Sequence, residues 1–196
     1  DYAELFDRSV VINGKSTMTG DSMYYDKKNG KMHAYNNIVY NDKGNKNLLT
    51  GDYCEYDDTT GYAMATKNAV VRDYSSPDTL FMHADTFKIF TYNIRTDSVY
   101  RLVHGYHKAR AFRSDVQSVC DSLKYDSKNK KMTMYGNPIV WNNNQQLLGE
   151  EIQVFMCDST IDSVHVIRQA LLAQQLDSAC YNQVAGREMY AYFNGG

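Results

Sequence analysis

The chain has 196 residues, with 21 Lys and Arg against 23 Asp and Glu and a formal net charge of −2 at pH 7. That length suits one domain or one run of repeats, and the even charge balance argues against nucleic acid as a partner, because phosphate binding needs a basic surface. No stretch approaches the ~18 apolar residues that span a bilayer, the start Asp1-Tyr2-Ala3-Glu4 is no signal peptide, and 43% hydrophobic content excludes a disordered segment.

Seventeen Tyr, sixteen Asn and two Pro favour strands joined by tight turns, so an all-β chain of many hairpins is expected. After a first strand around Val10-Val11-Ile12, residues 19–30 set a unit that recurs along the chain. It returns at 50–61 after a shift of 31, and a shift of 100 carries Asp21-Ser22 onto Asp121-Ser122 and Tyr25-Asp26 onto Tyr125-Asp126. Longer copies open at Ala84-Asp85 and Gly149-Glu150, and a last partial copy opens at Gly186-Arg187-Glu188. Counting two and four residues on from each acidic start gives Met23/Tyr25, Cys54/Tyr56, Phe87/Ile89, Leu123/Tyr125, Ile152/Val154 and Tyr190/Tyr192. The positions between are mostly polar and include Glu55, Lys88 and Lys124. Such alternation places one face of a strand in a core and the other in water.

Turns rich in Asp, Asn and Gly follow at 26–30, 57–61 and 126–130, where left-handed backbone is needed. The return strands bring Asn37, Asn68 and Asn137 to the parity of Val39, Val70 and Ile139, with His104 and Gln169 in the longer copies. If that parity is the buried one, these side chains must bond backbone or one another, since an unpaired buried amide costs about 1–3 kcal/mol. Residues 166–179 contain good helix formers, but their alignment favours a strand to about Leu172, with room for a helical turn after it. Stacking about six hairpins gives roughly twelve strands.

Chemical motifs are few. Gly14-Lys15-Ser16-Thr17 resembles the end of a phosphate loop, but Ser9 stands where its first Gly belongs and a strand follows it. Lys27 and Lys28 occupy places where a calcium loop needs oxygen ligands. His104 and His107 lie on opposite faces of a strand, and the recurrent Asp21, Asp52, Asp85 and Asp121 are spread along the stack rather than converging. Cys54, Cys120, Cys157 and Cys180 form no CxxC pair; buried thiols, or one or two disulfides, are both open. No catalytic residue, metal site or cofactor is expected.

With the repeat in hand, the chain resembles the OstA-like family: the periplasmic lipopolysaccharide-transport proteins and the N-terminal domain of the outer-membrane lipopolysaccharide-assembly protein. The resemblance rests on the starts at Gly20-Asp21 and Gly51-Asp52 with their Tyr25-Asp26 and Tyr56-Asp57 ends. Gly136-Asn137-Pro138-Ile139-Val140 and the closing run 182–189 add to it. It implies one domain over 1–196, a piece of a longer chain, folded as an elongated, twisted antiparallel β-jellyroll whose two sheets face each other around an apolar groove. It further implies a non-enzymatic lipid-binding module of lipopolysaccharide transport and outer-membrane biogenesis, located in the periplasm or associated with the outer membrane.

In that reading Met23, Tyr25, Tyr56, Phe87, Ile89, Leu123, Tyr125, Ile139, Ile152 and Val154 line the groove for acyl chains of lipopolysaccharide or a related lipid. From the alternation alone the same side chains could simply fill a core, as in a structural or adhesive β-repeat of a cell-surface protein. Stacked hairpins also leave unpaired edge strands. The uncharged segment 189–194 is therefore expected to pair end to end with a second copy or another protein of this fold, unless further strands of a longer chain complete the edge.

Overall fold

The computed structural model describes residues 2–44, 46–75, 77–94, 96–114, 116–157 and 160–192. Among them there is no helix, and sixteen strands follow one another. They are β1 (Tyr2–Asn13), β2 (Ser16–Asp26), β3 (Lys31–Asp42), β4 (Asn47–Asp57), β5 (Tyr62–Asp73), β6 (Leu80–Tyr92), β7 (Tyr100–Tyr106) and β8 (Ala109–Phe112). Then come β9 (Val116–Cys120), β10 (Ser122–Asp126), β11 (Lys131–Tyr135), β12 (Ile139–Asn142), β13 (Gln145–Leu148), β14 (Glu151–Cys157), β15 (Thr160–Gln175) and β16 (Tyr181–Tyr192). The pairs β7/β8, β9/β10, β11/β12 and β13/β14 are single arms interrupted by a few residues, so the sixteen strands make twelve arms. The segment rich in helix formers lies in β15, which runs on past Leu172 to Gln175 and ends in a turn where Asp177 accepts the backbone N–H groups of Ala179 and Cys180.

All pairing is antiparallel, and hydrogen bonding is continuous from β1 to β16. Every arm crosses a corner. One half of each arm lies in a first sheet, in the order β1-β2-β3-β4-β5-β6-β7-β10-β11-β14-β15-β16. The other half lies in a second, where β8, β9, β12 and β13 replace β7, β10, β11 and β14. At the usual spacing of about 4.8 Å between strands, the body is roughly 50 Å long. The two sheets share one hydrophobic core running the length of the stack.

The corner has a regular chemistry. On alternate arms it passes through a small residue followed by an acid: Gly20-Asp21, Gly51-Asp52, Ala84-Asp85, Cys120-Asp121 and Gly149-Glu150. On the arms between, it passes through residues of positive φ: Asn36 and Asn37, Lys67 and Asn68, His107 and Lys108, Gly136 and Asn137, Arg168 and Gln169. Small side chains are required because the sheets converge there. A Cβ on Gly149 would collide with Cγ1 of Val166.

Candidate functional site

Two inner rows of the first sheet can be traced strand by strand through the register. Nearest the corner runs Met23, Ala34, Cys54, Ala65, Phe87, Gly105, Leu123, Met134, Ile152 and Val166. Next to it, toward the open side, runs Tyr25, Met32, Tyr56, Ala63, Ile89, Val103, Tyr125, Met132, Val154 and Val164. Neither row holds a charge, and the only polar side-chain atoms are tyrosine hydroxyls and one thiol. Gly105 makes room for its neighbours, since a Cβ there would lie 3.0 Å from Cε1 of Phe87 and 3.2 Å from Cγ of Leu123.

Nine of the ten residues expected to line the groove fall in these rows, at two depths. Met23, Phe87, Leu123 and Ile152 are buried beside the corner, with Phe87 and Ile152 at 0% exposure. Tyr25, Tyr56, Ile89, Tyr125 and Val154 lie in the outer row, where Tyr25 keeps 37% and Tyr56 41% of their surface. A ligand between the sheets would therefore meet the second set, while the first fills the core. Ile139 is placed differently. It sits in a row with Thr19, Val39, Thr50, Val70 and Val119 on the outer face of the second sheet, and its neighbour Val140 points inward.

The opposite wall of the groove was missed by sequence reasoning. It is the row Met18, Tyr40, Leu49, Val71, Met82, Ala111, Ser118, Val140, Leu147 and Leu172. Val71 and Leu49 carry a weak signal for it, but on the acid-bearing arms the corner inserts one residue, so the inward parity flips between Leu49 and Cys54. The last copy is shifted by one residue, because its count begins at Glu188. Its corner is Gly186-Arg187, so Met189 pairs with Val166 on the inner face, while Tyr190 and Tyr192 point outward. Phe193 and Asn194, the end of the expected edge segment, lie outside the described residues.

The return-strand amides are not buried. Asn37, Asn68, Asn137 and Gln169 are exposed on the outer ridge of the corner, and Asn37, Asn68 and Gln169 bond acids of neighbouring arms rather than one another. Nδ2 of Asn37 donates to Asp21 over 2.7 Å, Nδ2 of Asn68 to Asp52 over 3.0 Å, and Nε2 of Gln169 to Glu150 over 2.7 Å. Arg8 also pairs with Asp21, at 3.1 Å, and Arg168 with Glu150. At Asp21, Asp52 and Glu150 the recurrent acid is thus a clasp across the corner. Its bond to Asn37 holds the Asp21 carboxyl below the ordinary carboxylate range, and the Arg168 bond does the same for Glu150. His104 is no member of this series; it lies on the outer face of the first sheet between Lys88 and Lys124.

The open side is mostly polar. Ser16, Asp42, Asn47, Asp73, Asn142 and Gln145 end the inner rows of the second sheet, with Leu80 and Val116 among them. Burial, with the charge of Asp73 from the facing sheet, raises the Tyr125 hydroxyl above its ordinary pKa. The aspartates of the Tyr-Asp ends close their own turns. Asp26 accepts the N–H groups of Lys28 and Asn29, and Asp126 those of Lys128 and Asn129, at 2.9–3.2 Å. Among the described residues no three of His, Cys, Asp and Glu are placed to hold a metal.

This architecture has a solved counterpart. The crystal structure of LptH, the LptA-homologous periplasmic component of the lipopolysaccharide transport device from Pseudomonas aeruginosa, is similar over 62% of this chain and 82% of its own, with a TM-score of 0.50 and 15% identity. The chain has the LptA-like β-jellyroll fold. At that identity the likeness speaks for the fold. No protein-family model matches the sequence, and neither does any curated protein.

Proposed function

We propose that this chain is a non-enzymatic, periplasmic lipid-binding module of lipopolysaccharide transport, which shields acyl chains between its two sheets. The observation that carries the reading is the half-exposed inner row from Tyr25 through Tyr56, Ile89 and Tyr125 to Val154. It runs uncharged along the whole stack and faces a second wall that is apolar but for Ser118. Each methylene buried there contributes about 0.8 kcal/mol, so several acyl chains suffice for tight binding without any reacting group. The shared fold with LptH supports the same direction. The free edges of β1 and β16 suit end-to-end strand pairing with proteins of this fold or with a second copy.

A photo-crosslinking amino acid at Tyr56 or Ile89 tests the reading. Lipopolysaccharide should crosslink from these inner positions and not from Lys88, which points outward on the same strand as Ile89. Equal labelling from all three, or none, would leave the inner rows as core packing and return the protein to the structural β-repeat reading.

A further inference from the structure

On the face of the second sheet that points away from the groove, apolar side chains alternate with uncharged polar ones and with His83, Arg72 and Arg110. Along twelve arms, the two outer rows of that face contain no aspartate or glutamate. One row brings Val119, Ile139, Leu148 and Leu171 side by side on neighbouring strands. The other holds Arg72, Phe81 and Phe112 in succession and, further along, Trp141. The Arg72 guanidinium lies 5.5 Å from the Phe81 ring, and the Phe81 and Phe112 rings are 6.4 Å apart. Phe81 is 37% and Phe112 50% exposed, so this belt faces solvent.

Charge decides what would cover it. Arg72 and Arg110 stand exposed on this face with no carboxylate in either row to answer them, so the occupant must bring negative charge. The acids on the adjoining ridge are interspersed with Arg8, Lys67, Lys108 and Arg168, and Asp21, Asp52 and Glu150 are already bonded. A second copy packed face to face would set arginines against arginines. A long acid-free strip with an indole, phenyl rings and arginines that no carboxylate of the two rows answers, rather than a compact central cluster with a polar rim, matches the boundary of an anionic bilayer.

We propose that the outer face of the second sheet docks on an anionic phospholipid surface, with Arg72 and Arg110 on headgroup phosphates and Phe81, Phe112 and Trp141 at the acyl boundary. This surface is separate from the groove, and its docking does not depend on the groove reading. Trp141 is the one tryptophan of the chain and reports on the face directly.

The test is sedimentation of the whole chain with vesicles, with Trp141 emission recorded. Phosphatidylcholine vesicles containing phosphatidylglycerol should pull the protein down and shift the emission to the blue; pure phosphatidylcholine should do so weakly. The exposed double variant Arg72→Gln/Arg110→Gln should weaken partition roughly tenfold or more, whereas the groove variant Tyr56→Asp should partition normally. Absence of sedimentation with anionic vesicles would overturn the proposal. So would binding that ignores the two arginines, or binding lost equally in Tyr56→Asp, which would mean lipid enters through the groove. Self-association that buries Trp141 without lipid, or capture of an acidic protein with no vesicle binding, would reassign the face.

Discussion

On the first sheet, Cys54, Phe87 and Leu123 point inward while Glu55, Lys88 and Lys124 on the same strands point out. On the second, Val140 and Leu147 point inward while Ile139 and Leu148 point out. Alternation shows which residues share a face, never which face is inside. Where the other face is charged, the sign comes free; where both faces are apolar, only the fold supplies it. The second sheet is accordingly the one with apolar surface to spare.

The widest gap between the sheets is expected in a pair of phenylalanines on β6. Phe87→Ala, at a fully buried site, should cost about 3–5 kcal/mol of unfolding free energy in urea. Phe81→Ala, on the outer face of the second sheet, should stay below about 1 kcal/mol. Equal losses would break the assignment of faces.

At the corner joining the sheets, Gly149→Ala should lose about 1–3 kcal/mol, since the new methyl collides with buried Val166. Gly20→Ala is the control. Its Cβ would meet nothing closer than Cγ of Met23 at 3.5 Å, an ordinary contact, and its melting temperature should barely move.

The clasp sharpens the same boundary. Asn68 has φ 59° and donates to Asp52, so Asn68→Ala should cost about 1–2 kcal/mol through its left-handed backbone, besides the lost bond. Asn68→Gly loses the bond alone and should be milder by thermal melting. Identical losses would mean that the bond, not the backbone, sets the corner.

Acid should act at the edges of the first sheet. The Thr59 hydroxyl bond, outweighing burial, lowers the Asp57 pKa in the folded state. Its contribution is therefore complete above the unfolded value near 3.9 and lost as pH falls through the folded one. Asp57→Asn should flatten the acid limb of a stability–pH curve. Burial, aided by the charges of Lys124 and Lys88, lowers His104, whose buried Nε2 has no partner among the described residues. Between its folded value and about 6.5 the unfolded chain binds more protons, so stability rises with pH. His104→Phe should remove that slope.

The smallest effect is chemical. Burial pushes the Cys54 thiol to about 12 and Cys120 to about 11, while Cys157 and Cys180 are exposed. A thiol reagent near pH 8 should label Cys157 and Cys180 and reach Cys54 and Cys120 only after denaturation, as mass spectrometry of the peptides would show.

The all-β class, the six hairpins and the inward residues of the first sheet were legible because they rest on local facts. Turn chemistry at Asp26, Asp57 and Asp126 and a period of two against a polar outer face need no knowledge of the rest of the chain. The placement of Ile139 and Tyr190 was not legible. Ile139 and Val140 are both apolar neighbours on one strand, so alternation gives no sign there, and the last copy turns its corner at Gly186-Arg187, one residue before the acid from which its count begins.

The sequence by itself thus determined the repeat, the strand pairing order within each hairpin and which side chains travel together. Only the tertiary structure decided what the recurrent acid is for. Asp21 and Asn37 stand sixteen residues apart and meet because antiparallel arms bring their corners side by side. It also decided the second wall and the outward strip that includes Trp141, because inside and outside are properties of two sheets facing each other, and no single strand contains them.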